Sequence, residues 1–188
     1  MERSILALEL CMRFEPQAHN HLRQLIVENR RELSFHEKWS LYGRAATSLT
    51  YNRGLWISGC WDFFDEDSRA RSDFNMWVQG MLTEEGARPH PSGSPDPYRG
   101  DDRFMTFTMA ALLVQGAPSE RALKSACEIP ESRLWHSDSF AHILASMRFL
   151  NFASVEASTL YLIPNQPDYA LTAEDLRHPK FQYLRPIV

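Results

Sequence analysis

Cysteine is scarce in this 188-residue chain: Cys11, Cys60 and Cys127 stand far apart, with no Cys-x-x-Cys pair. Disulfide frameworks and zinc knuckles need closely spaced, paired thiols, so neither is expected, and no cofactor or metal is expected. A basic excess is missing too, since 20 Lys plus Arg face 24 Asp plus Glu, for a formal net charge of −4. Phosphate-backbone binding relies on such an excess, so nucleic acid is not an expected partner. No apolar run reaches the roughly 18 residues of a membrane helix, and the start Met-Glu-Arg-Ser lacks a signal-peptide pattern. There is no Asn-x-Ser/Thr sequon, no Gly-x-Ser-x-Gly elbow and no phosphate-binding glycine loop. The expectation is a cytoplasmic protein with no membrane partner and, more readily than an enzyme, a non-catalytic one.

What is present is an ordinary globular composition, 44% hydrophobic, 23% charged and 12% aromatic. The length suits one domain over residues 1–188. Its one candidate internal boundary is the loop 86–102, where prolines at 89, 91, 95 and 97 alternate with glycines at 86, 93 and 100.

Helical signals dominate the remainder. Pro16 suits a first helical turn, followed by the stripe Leu22, Leu25, Ile26 and Leu33. Ser34 and Glu37 form a capping box ahead of Phe35, Trp39, Tyr42, Ala46 and Leu49. Asp67 or Ser68 opens a helix whose Phe74, Trp77, Val78, Met81 and Leu82 share one face. Phe104–Val114, nearly continuous in apolar residues, reads as a buried helix stopped at Gly116-Ala-Pro118. Ser119 caps a short helix, and Ser137 or Asp138 starts another with Phe140, Ile143, Leu144 and Met147 on its face. Segment 5–14 alternates like a strand but has the Leu, Ala, Glu and Met content of a helix, and the helix is favoured. Periodicity does not decide 55–64, and 155–163 reads as a strand or a helix end. The tail Phe181–Ile187 alternates and, held by Pro179 and Pro186, is expected to dock on its own domain. The resulting fold class is mainly α, a compact domain of six to eight helices with up to two or three short strands, the alternative being α+β. No internal repeat is visible.

Three groups of residues are candidates for function. The aromatic region holds Trp56, Trp61, Phe63 and Phe64, and rigid rings of this kind anchor protein interfaces. The competing reading packs the local tryptophans, Trp39 and Trp77 included, into a core between helices 35–52 and 67–85. Asp62, Asp65 and Asp67 head an acidic cluster that could serve metal-assisted hydrolysis, although the spacing fails a calcium loop because Ala70 and Met76 stand at its sixth and twelfth positions. Asp138 and His142 are i,i+4 neighbours on a helix, the spacing of a base and its orienting carboxylate. The aromatic region near Trp56–Phe64, with no nucleotide loop, metal quartet, nucleophile motif or basic stripe in the sequence, points to an intracellular protein-interaction module, adaptor or regulatory, whose partner is another protein. A small metal-assisted hydrolase is the alternative, and a homo-oligomeric structural protein the second alternative.

Overall fold

A computed structural model describes residues 2–82, 88–89, 101–165 and 169–188. Most of the loop 86–102 therefore lies outside the described residues. The chain runs β1 (Arg3–Arg13), α1 (Pro16–Asn29), α2 (Phe35–Tyr51), β2 (Trp56–Phe64), α3 (Asp67–Leu82), β3 (Arg88–Pro89) and β4 (Arg103–Val114). It continues through α4 (Pro118–Ala126), α5 (Ser137–Ser146), β5 (Val155–Ile163), β6 (Tyr169–Thr172) and β7 (Arg185–Pro186), with single 3-10 turns between. All strand pairs are antiparallel. β1 and β4 pair along their full length in the centre, β2 flanks β1, and β5 flanks β4.

This overturns the expectation of a mainly α fold with six to eight helices. The described residues form five α-helices against a large antiparallel sheet. Segments 5–14 and 104–114, expected as helices, are the two central strands. Both faces of a central strand are covered, so Leu, Met, Ala and Phe fill most positions, and β4 reads as a nearly continuous apolar run. Burial of both faces outweighs the helical propensity of those residues. Segment 55–64 enters β2 after a 3-10 turn, and 155–163 is a strand.

The order of elements repeats. β1-α1-α2-β2 and β4-α4-α5-β5 are both βααβ units, each with its two strands paired antiparallel. The leading strands meet at the centre, and Pro16 and Pro118 open the first helix of each unit. The units share topology without the sequence self-similarity that would have announced it.

All four helices of these units cover one face of the sheet. There Leu6, Leu8, Leu10 and Met12 of β1 meet Phe107 and Met109 of β4 under Leu25, Leu41, Leu49, Phe140 and Ile143. The capping box of α2 is complete, with Ser34 Oγ accepting from Glu37 N–H while the Glu37 carboxylate accepts from Ser34 N–H at 2.8 Å. Gly116, at φ 79°, turns the chain from β4 into α4. The opposite face carries α3, through Ala70, Phe74 and Trp77, and the segment that follows β6, through Phe181 and Leu184. α2 and α3 thus lie on opposite sides of the sheet, and no core forms between them. Trp39 is 43% exposed on the outer surface of α2, stacked on His36. Among the described residues, no helix is long and apolar enough to cross a membrane.

Candidate functional site

β2 is the strand on which the candidate residues converge, and its pleat sorts them by face. Odd positions look toward the helical layer. Trp61 packs there and its indole N–H donates to Leu134 O at 3.0 Å, while Phe63 lies beside Leu6 of β1. Trp56 joins the same face after an irregularity in register opposite Cys11 and Met12, and donates to Leu49 O at 3.1 Å. Even positions Cys60, Asp62 and Phe64 look toward α3. The four aromatic residues therefore do not form one patch: three are half-buried against the helices, and Phe64 lies under the Arg69 guanidinium on the other face, 3.5 Å from its ring centre.

The edge of β2 is only partly used. Arg185–Pro186 pairs with Ser58–Gly59, and Ile187 N–H donates to Ile57 O at 2.9 Å. The expected self-docking of the tail is thus observed, and Val188 continues it by bonding to Trp135 and Ser137. The pairing of Gly59 with Arg185 directs the backbone groups of Trp61 and Phe63 outward as well. Among the described residues, no strand pairs with that edge beyond Gly59. Beside it runs a cleft of about 440 Å³ between β2, α4 and the connector to α5, lined by Trp61, Phe63, Lys124, Cys127, Glu128 and Trp135.

On the α3 side a second cavity, of about 450 Å³, opens over the sheet. Cys60, Glu9, Thr108 and Tyr161 form one row across four strands, set by register, and Asp62 sits beside this row. Glu9, 3% exposed at the centre of the sheet, accepts a hydrogen bond of 2.5 Å from the Tyr183 hydroxyl. Burial pushes its carboxyl above the usual 4.5, opposed by Tyr183, by the hydroxyls of Thr106 and Thr108 and by the nearby Lys180. The Thr106 hydroxyl stands by without a hydrogen bond of ordinary geometry. Burial, and then the charge of Asp73, likewise raise Asp62. Arg69 pairs with Asp73 at 3.4 Å, and Trp77 meets the Tyr183 ring edge to face at 5.9 Å.

The acidic trio is dispersed. Asp62 faces the cavity, Asp65 binds Lys124 at 2.5 Å, and Asp67 binds Arg71 one turn along α3 at 3.3 Å. The Lys124 ammonium holds Asp65 below the usual carboxylate range. Among the described residues, no group of three His, Cys, Asp or Glu side chains could hold a metal. Asp138 and His142 share α5, but Asp138 binds Arg53 at 2.5 Å and lies 3.7 Å from Arg133, and the Arg53 guanidinium lowers its pKa. The three cysteines are free, and burial pushes each thiol up to about 12, which disfavours the thiolate a nucleophile needs.

Sequence reasoning gave Glu9 no role; it counted Asp73 in the acidic cluster, Trp77 on an apolar helix face and Tyr183 in the tail, and missed that the four meet at one cavity. Glu9 had left a signal: it is the only charged residue between Arg3 and Arg13 in a strand otherwise apolar or small on both faces. Tyr183 had none, because 174 residues separate it from Glu9. Comparison of the chain with protein-family models, with curated proteins and with solved structures finds no match.

Proposed function

We propose that this chain is a non-catalytic cytoplasmic recognition module that takes an extended segment of a partner protein along the outer edge of β2. The observation that carries the reading is that edge. Trp61 and Phe63 present outward backbone groups next to a roomy cleft with aromatic and apolar walls. An extended segment adding to a sheet edge gains main-chain hydrogen bonds, and side-chain pockets beside the edge supply selectivity. Asp65 and Lys124 neutralise one another in the cleft, which leaves the Glu128 carboxylate in excess. The segment that fits carries a basic side chain opposite Glu128. Three free thiols suit a compartment that keeps cysteines reduced. Metal-assisted hydrolysis at Asp62, Asp65 and Asp67 has no comparable support, since their carboxylates point to different partners.

The experiment is affinity isolation from native cells with an N-terminal tag, leaving the tail free, followed by binding and amide exchange with the identified partner. The expected result is a stoichiometric partner, slowed exchange at Trp61 and Phe63 in the complex, and affinity reduced at least tenfold by Glu128→Lys. Glu128 is exposed, so this variant should fold normally. An unaltered affinity together with unchanged exchange at both amides would overturn the reading. So would a protein that meets only its own copies through another surface.

A further inference from the structure

We propose that the cavity between the sheet and α3 is a binding site for a small organic cation, an ammonium group on an aromatic or aliphatic body, with Asp62 as its anchoring carboxylate. The site opens on the α3 face of the sheet, opposite the helical layer, and shares Asp62 and Phe64 with the rim of the β2-edge cleft.

About 450 Å³ of space bounded mainly by Phe64, Met76, Trp77 and Tyr183, with a few convergent polar groups, is the usual form of a small-molecule site. Its walls are aromatic on several sides, and ring faces attract cations.

Charge then selects the ligand. Among the described residues three carboxylates line the cavity, Glu9, Asp62 and Asp73, against two cations, Arg69 and Lys180. Glu9 is bonded by the Tyr183 hydroxyl and lies in the field of Lys180. Asp73 holds Arg69, whose guanidinium is also stacked on Phe64. Arg69 thus contacts Asp73 and reaches Asp62 only through its field. The only hydrogen bond to the Asp62 side chain among the described residues is the weak one from the Cys60 thiol, at 3.9 Å. A half-buried carboxylate with unused acceptor positions is costly alone and is relieved by a charged donor. An anionic ligand would add a fourth negative group to the same space, and a neutral one would leave Asp62 as it is. Asp62 lies opposite Ala7, two register positions from the Glu9–Cys60 pair and next to it on the same face, and that small neighbour leaves the carboxylate room for a ligand group.

The test uses three compounds of one shape and three charges: phenethylamine, 2-phenylethanol and 3-phenylpropionate. Each is titrated into the full chain by calorimetry, and the indole N–H resonance of Trp77 is followed by NMR. The expected result is saturable binding of phenethylamine that shifts the Trp77 signal, with both analogues weaker by ~10-fold or more. Asp62→Asn should remove that preference. Asp65→Asn, whose carboxylate is bound to Lys124, should keep it. Equal or tighter binding of the alcohol or the acid would overturn the proposal. So would an undiminished amine preference in Asp62→Asn, or a Trp77 resonance unmoved by phenethylamine and by longer aliphatic amines. If Asp62→Asn fails to fold, the three-compound series on the wild-type chain decides alone.

Discussion

The two βααβ units place a helix beside each outer strand of the sheet, and the two seams differ. At β5 the seam is closed: α1 packs against the strand, His19 Nε2 bonds to Pro164 O at 2.7 Å, and Arg23 donates to Asn165 O at 3.1 Å. At β2 the corresponding helix α4 stands off and leaves the cleft. Helix length accounts for much of the contrast. α1 has 14 residues and α2 has 17, against nine and ten for α4 and α5. At ~1.5 Å per residue the second pair covers less of the sheet. A repeated topology has thus been filled on one side and left open on the other, where Trp61 and Phe63 reach the edge.

The largest expected effect comes from breaking the closed seam. Leu25 on α1 is 1% exposed, and Leu25→Ala should destabilise the fold by about 2–5 kcal/mol, read by chemical denaturation. Next is Gly59, where a Cβ would meet Phe140 Cε1 at 2.8 Å and Glu9 O at 2.9 Å. The backbone contact cannot step aside cheaply, so Gly59→Ala should cost about 1–3 kcal/mol and loosen β2 against α5 in the same denaturation assay. His19→Ala should cost about 1–3 kcal/mol, because the buried Pro164 carbonyl loses its donor.

His19 also makes the closed seam sensitive to pH. Burial lowers its pKa below the ordinary 6.5, so the unfolded chain binds the proton more readily. The stability it contributes is complete above 6.5 and is lost as pH falls through 6.5 toward the folded value. Thermal melting from pH 8 to 5 should show that loss in the wild type and a flatter profile in His19→Ala. Glu9 has the opposite sign. Its folded pKa is raised, so stability is fully present below 4.5 and is lost as pH rises through the folded value. Glu9→Gln, which can still accept from Tyr183, should therefore raise the melting temperature at pH 7 and bring no gain below pH 4.5. A lower melting temperature for Glu9→Gln at pH 7 would contradict the burial argument.

Local rules were readable in the residues wherever the signal was itself local. Ser34 and Glu37 announce the start of α2, and Pro16 announces that of α1. The stripe Phe140, Ile143, Leu144 and Met147 marks α5 and the turn after it. β4 was obscured because a strand covered on both faces loses its alternation and looks like a buried helix, whereas β1 kept a period of two that its helix-forming composition outweighed. Trp61, Asp62, Phe63 and Phe64 must point in several directions in a helix or a strand, but with the periodicity of 55–64 undecided no window of sequence assigns each side chain its face. On a strand they divide between two faces, and the division separates the helix-packed rings from the cavity. Glu9 and Tyr183, or Asp62 and Asp73, meet only through pairing across the sheet and the packing of α3, which no window of sequence contains.

Amide exchange in the free protein tests the open edge of β2 without any partner. The N–H groups of Cys60 and Asp62 point toward β1, whereas those of Trp61 and Phe63 point away from it. Trp61 and Phe63 should therefore exchange much faster than Cys60 and Asp62. Equal protection of all four would mean that the edge is already covered, and the recognition surface proposed here would be lost.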